Sequence, residues 1–401
     1  MRASLKSPFV LAVLTLAASQ AHAGLTTFDN VSVGYAVSGD GQWATFGSPA
    51  SAGGSHVFLW SAATNSLTDI GGYAGTAGRV VISADGSTIG AVDQDSDGYF
   101  SPAIYNANKG AWSLVPALDG ISGNSKSSVW TLSADGRYVG GLGYVTGSST
   151  PHGYVTDTVT GTVADLGATQ ARIQGIGPDA QVLIGYTTSA QAGAMWKRNA
   201  DGSYALTALK DPNAPTAGLN STAALSGNGL WAAGNSFNGP SANPYRVNTQ
   251  TGEVQYFNKI AAGGGKITAS VGSISADGNT IVGIEAPQLG ASFGYIWKGD
   301  GTFNSATHTL GGTTMSFDDY LASYGIDTDN KYNFISIIGM NADATVFSGM
   351  AVENSTGYQT AFVVSLPVPE PSTYALLASG LLLVGGVARR RRIRARQDRA
   401  V

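Results

Sequence analysis

The chain contains no cysteine. No disulfide framework can support it, so its stability must come from packing. Histidine is scarce, at four in 401 residues. That leaves little material for metal or acid–base chemistry. Charged residues make up only 12%. There is no G-x-S-x-G elbow, no H-E-x-x-H helix and no Gly-rich Lys loop for phosphate. No enzyme class is therefore named by a motif.

The small net charge of −4 hides a split. Residues 24–367 carry 13 Lys and Arg against 24 Asp and Glu, a net of −11. The last 13 residues carry seven Arg and one Asp. An acidic body is a poor match for nucleic acid, which calls for basic patches.

What the chain does have is glycine, 55 in all, and a recurring hairpin. In Val81-Ile82-Ser83-Ala84-Asp85-Gly86-Ser87-Thr88-Ile89-Gly90, two β-prone runs flank a short turn. Gly takes positive φ freely, and Asp bonds back to its own backbone. Such a pattern reads as a hairpin. It returns from Val37, Leu132, Ile176, Leu225, Ile274 and Met340. The turn residues are Asp40, Asp85, Asp135, Asp179, Asn228, Asp277 and Asp343, at intervals of 45, 50, 44, 49, 49 and 66 residues. Each copy has a second half of strand, polar turn and strand. Examples are Ser55–Gly71, Ser101–Val115 and His152–Gly167.

Four strands per unit, seven times over, predict an all-β, seven-bladed β-propeller with four-stranded antiparallel blades over residues 24–366. The last copy stops after its third strand, at Leu366. Leu25 to Asp29 resembles a fourth-strand segment and is expected to complete that blade, hiding a sheet edge.

The units resemble the extracellular HAF-repeat family, through His56-Val57-Phe58-Leu59-Trp60, Leu67-Thr68-Asp69-Ile70-Gly71 and the Ser-Ala-Asp-Gly hairpin. The resemblance covers roughly residues 36–366. It implies a propeller-like exported repeat protein and no particular activity.

Residues 1–23 have the plan of a signal peptide. Arg2 and Lys6 precede an apolar run from Phe9 to Ala18, and Ala21-His22-Ala23 is an A-x-A site. Cleavage would leave Gly24 first. At the other end, Pro367–Thr373 is a stiff linker. Tyr374 to Ala388 is an apolar stretch of about 22 Å as a helix, at about 1.5 Å per residue. It is short for a hydrocarbon core of about 30 Å, yet can span with thinning or snorkelling. The Arg cluster of residues 389–401 would hold the C-terminus in the cytoplasm. This tail resembles the PEP-CTERM sorting signal, through Pro369-Glu370-Pro371, an apolar helix and Arg residues in that order. The resemblance implies an exosortase-type protease as partner, a transient inner-membrane anchor, and release or transfer to the cell surface or beyond. Hosts of that family typically make exopolysaccharide.

Asp93-Gln94-Asp95-Ser96-Asp97-Gly98 is the one ligand-like cluster. Asp93, Asp95 and Asp97 could wrap a structural Ca²⁺ with oxygen ligands. The twelfth position is Ile104, so an EF-hand's bidentate Glu is missing. The alternative is a solvated acidic turn. No other cofactor is expected. Trp60, Trp196 and Trp297 recur at one repeat position, and Trp43 and Trp231 at another, which reads as packing. Trp112 and Trp130 are irregular and stand as candidates for a ligand surface. His56 and His152 head equivalent strands, and His308 is expected within a fourth strand. Recurrence favours structural hydrogen bonds for these. Ser316 to Gly325 predicts one short helix before the last unit.

Two functions remain open. One is a non-enzymatic surface or matrix propeller that binds exopolysaccharide or another envelope component, or serves structure alone. The other is a polysaccharide lyase or hydrolase with a loop-built site. Inward-facing carboxylates in one cleft would favour the second.

Overall fold

The computed structural model describes residues 24–367, apart from 49–54, 76–77, 168–170, 188–191, 236–242, 259–266, 288–290, 327 and 329. The expected signal peptide, Pro369, Glu370, Pro371, the helix expected at 374–388 and the Arg-rich residues 389–401 lie outside the described residues. Among those described, no helix is long and apolar enough to cross a membrane.

The fold is all-β. Four-stranded antiparallel sheets form in chain order, each by successive hairpins. One holds Val33–Val37, Trp43–Gly47, Val57–Ser61 and Ser66–Gly71. The next holds Val81–Ile82, Thr88–Gln94, Phe100–Asn106 and Ala111–Leu114. Two more begin at Ser127–Leu132 and Ala171–Ile176. An eight-stranded sheet contains two such sets, starting at Thr222–Leu225 and Ile267–Ile274. A single parallel pairing, Tyr256 with Thr309, joins the two sets through their outer strands.

The last set starts at Tyr332–Met340 and uses the N-terminal strand as its fourth member. Gly24–Phe28 pairs antiparallel with Gln359–Ser365, from Gly24 opposite Ser365 to Phe28 opposite Ala361. The closing strand thus begins at the residue where signal cleavage is expected.

First strands pack against first strands. Val33–Val37 touches Val81–Ile82, which touches Ser127–Leu132, and so on through Ala171–Ile176, Thr222–Leu225, Ile267–Ile274 and Tyr332–Met340. Tyr332–Met340 in turn touches Val33–Val37, so the circuit closes.

The repeated turn explains itself in hydrogen bonds. Ser83 Oγ donates to Asp85 Oδ1 at 2.6 Å and accepts from Thr88 N at 3.0 Å. Ser38, Ser133, Ser226 and Ser275 do the same in their turns, and Asn341 substitutes for Ser in the last. Turns also bond sideways to one another. Asp40 N donates to Ala84 O, Ala84 N to Ala134 O, Ala276 N to Ala342 O, and Ala342 N to Gly39 O. Asn228 Nδ2 adds a bond to Ala276 O. Gly86 is needed for two reasons. Its φ is +73°, and a Cβ there would lie 2.1 Å from Trp43 of the preceding unit. The unit at Ile176 departs from the pattern. Gly177 and Pro178 give a 3₁₀ turn, with Asp179 at φ 53°.

The expected helix forms at Phe317–Ser323, and Ser316 Oγ caps it by accepting from Asp319 N. Phe317, Tyr320 and Leu321 are buried against Phe334, Phe347 and Phe362. Trp60, Trp196 and Trp297 are buried, as packing residues should be. His308 differs from expectation. It sits in a turn at φ 53°, one residue before the strand Thr309–Ser316. A left-handed residue cannot continue a strand.

Candidate functional site at the axis of the sheets

The innermost strands enclose a partly open cavity of about 170 Å³. That is several times the space one water needs. Its lining draws on the first strand, or the residues just before it, of every four-strand set. Tyr35, Arg79, Trp130, Gln174, Ala224, Ser273 and Ile338 come from successive sets. Among the described residues the lining contains no Asp, Glu or His.

Charge enters the site through arginine. Arg79 lines the cavity just ahead of Val81–Ile82, and its guanidinium lies 5.8 Å from the Trp130 ring centre. Arg172, on Ala171–Ile176, stacks at 3.6 Å over the same ring and 4.7 Å from that of Tyr186. Trp130 is held by its indole N–H, which donates to Ser128 Oγ at 2.9 Å. Cation–π contacts of this kind contribute about 0.5–2 kcal/mol.

Burial lowers the pKa of Arg79 and of Arg172, and for Arg172 the nearby Arg79 charge lowers it further. Burial raises the phenols of Tyr35 and Tyr186, while the arginine charges act the other way. The two guanidiniums therefore repel one another in a partly dry place. Arg172 Nε is sealed from water without a hydrogen-bond partner among the described residues, and so is Gln174 Oε1.

Arg137 and Arg246, by contrast, are satisfied. Arg137 grips Asp157 with two bonds, of 3.1 and 2.6 Å. Arg246 is buried and donates to Gln255, Gly278 O and Asn279. Burial pulls its pKa down to about 10.

Asp93, Asp95 and Asp97 do not converge around an empty centre. Asp93 is within the strand Thr88–Gln94, not in the loop after it, and accepts from Gln94 N. Asp95 accepts from Asp97 N, Tyr99 N and Ser101 Oγ. The Lys126 ammonium stands 2.6 Å from Asp95 and 3.8 Å from Asp97. Its hydrogen bond is the main reason Asp95 sits at about 2. Among the described residues no three His, Cys, Asp or Glu are grouped to hold a metal.

His56 and His152 each bond the Asp of their own fourth strand. His56 Nδ1 is 2.9 Å from Asp69 and His152 Nδ1 is 2.8 Å from Asp165. Trp112 is on the outer strand Ala111–Leu114, outside the cavity lining, and donates to Ile70 O at 2.5 Å. Of the two irregular tryptophans, only Trp130 belongs to the axial site. The sequence reading missed Arg79 and Arg172. The available signal was two of the body's few cations, each placed four or five residues before a repeat turn.

A PEP-CTERM protein-sorting motif matches residues 367–392. No curated protein matches the chain. Among solved structures, an oligogalacturonate lyase in complex with manganese is similar, at TM-score 0.52 and 15% identity over 86% of this chain and 91% of that one. The β-propeller domain of the Trilobed protease from Pyrococcus furiosus aligns at TM-score 0.51 and 10% identity, over 83% and 95%. Oligogalacturonate lyase from Vibrio parahaemolyticus aligns at 0.51 and 12%, over 87% and 97%. At such identities the likeness concerns the fold alone, which is propeller-like. The motif at 367–392 implies processing by an exosortase-type system.

Proposed function

We propose that the protein is an exported seven-bladed propeller of HAF-like repeats that binds an exopolysaccharide or another envelope component without transforming it. The ring spans residues 24–366, with the eight-stranded sheet counted as two blades. Linker 367–373, membrane helix 374–388 and the Arg tail 389–401 deliver it. Pro369, Glu370 and Pro371 mark the site of exosortase processing, and Ala21, Ala23 and Gly24 that of signal cleavage. The helix and the Arg tail are lost on sorting, by cleavage near Pro369 to Pro371, and the ring goes to the surface or the matrix. Lys126 neutralises Asp95 and Asp97, two of the three carboxylates considered with Asp93 for a structural Ca²⁺.

One observation carries the binding reading. The axial cavity has aromatic and guanidinium groups and, among its described lining, no Asp, Glu or His. Glycosidic cleavage by hydrolysis calls for a carboxylate pair, and proton transfer needs a group of suitable pKa at the reacting atom. A cavity without a carboxylate pair is suited to holding a saccharide rather than hydrolysing it.

The test is incubation of the full chain with exopolysaccharide from its own host. Retention of the protein on the polymer with no fall in polymer size is expected, and Trp130→Ala should weaken retention. Progressive shortening of the polymer, with new reducing or unsaturated ends, would make the protein a lyase or hydrolase instead.

A further inference from the structure

The axial cations have no acid of their own. Among the described residues neither Arg79 nor Arg172 is in an ion pair, whereas Arg137 has Asp157. The stretches nearest them in sequence, 76–77, 168–170 and 188–191, contain no Asp or Glu. Yet the body as a whole is acidic, at −11 over residues 24–367. Two like charges stand beside one half-buried indole ring, in a chain with carboxylates to spare.

Such an arrangement costs free energy unless something negative completes it. A ligand oxyanion would do so. Guanidinium presents a planar fork that matches a carboxylate with two parallel bonds. The Arg172 guanidinium lies over Trp130, 3.6 Å from the ring centre, and its Nε has no partner among the described residues. Gln174, 8% exposed, offers an unused Oε1 in the same lining and can accept a ligand hydroxyl. The cavity's size suits one charged group and its neighbours, not a long oligomer.

We propose that Arg79 and Arg172, splinted by Trp130, form an oxyanion site at the axial cavity that takes the carboxylate of an acidic saccharide. This deepens the binding reading above and rests on it. Specificity for acidic over neutral polymer would come from the two guanidiniums, and Gln174 would read an adjacent hydroxyl.

Equilibrium binding to the full chain tests this with four probes. They are a short oligomer of a uronic acid, a neutral glucose oligomer of equal length, a sulfated oligomer and inorganic sulfate. The uronic oligomer should bind, weaken as salt rises, and lose about tenfold or more in affinity with Arg172→Gln or Arg79→Gln, as expected for loss of a charge-assisted bond. Arg172→Lys should lose less at the same folded content, because charge remains while the fork is gone. The neutral oligomer should bind far more weakly. If the sulfated oligomer or inorganic sulfate binds more tightly than the uronic one, the oxyanion is not a carboxylate and that assignment falls. If the neutral oligomer binds equally well and neither Arg variant matters, the oxyanion site is refuted while the binding reading stands. If the host polymer is retained but none of the acidic probes binds, the refutation is the same. If the host polymer itself is not retained, the binding reading fails first. Should the Arg variants not fold, the wild-type preference between charged and neutral oligomers and its salt dependence still decide.

Discussion

At the residue scale the repeat is a small hydrogen-bonding device. A buried Ser hydroxyl donates to the turn carboxylate and accepts the amide that begins the next strand. Ser275 illustrates it, at 2.5 Å to Asp277 and 2.9 Å from Thr280 N. Ser275→Ala leaves a buried N–H unpaired, which costs about 1–3 kcal/mol. Chemical denaturation should show a loss of that size, with the slope unchanged. The motif was legible in sequence because its parts lie within six residues of each other. Arg79, Trp130 and Arg172 were not legible as a site. They are about 40 to 50 residues apart and share only a position before successive turns. No spacing rule within one strand reveals a group assembled by three.

Carboxylates carry the pH dependence. The two bonds from Arg137 hold Asp157 at about 2, and the Lys126 ammonium holds Asp95 at about 2. Both folded values lie below the usual carboxylate value of about 3.9. Their contribution is therefore complete above about pH 4 and is lost as the pH falls through the folded values. Melting temperature should drop on acidification in that window. The deficit of Asp157→Asn relative to wild type should shrink over the same range. A deficit that stays constant from neutral to strongly acid pH would mean that Arg137 and Asp157 do not act as an ion pair.

Among elements, the closing strand matters most. Gly24–Phe28 covers Gln359–Ser365, whose Phe362 and Val364 are fully buried. Removing residues 24–28 bares a sheet edge and uncovers apolar surface. The truncated chain should melt well below wild type and self-associate. Melting at the wild-type temperature would show that the ring does not depend on this closure. Closure and the helix at Phe317–Ser323 could both be read from sequence, since one is an orphaned fourth strand and the other a capped segment. The hairpin of Lys210–Asp211 and Ala214–Gly218 could not. Pro212 and Pro215 mark that stretch as loop, and an exposed two-stranded edge is one of the sheet settings that tolerate Pro.

For the whole molecule, the first strands close a circuit around the axial cavity, and the chain's two ends have separate work. Gly24–Phe28 completes the last sheet, and residues 367–392 match a sorting motif. Under the proposed cleavage before Gly24, the closing strand is freed of the signal peptide, which would tie export to folding. The most direct measurement is the intact mass of the protein recovered separately from the medium and from the membranes of its own host. A released form starting at Gly24 and ending near Pro369 to Pro371 is predicted. A sole membrane form retaining Arg389 to Val401 would contradict the account, because the ring would then stay anchored at the inner membrane and never meet a polymer outside the cell.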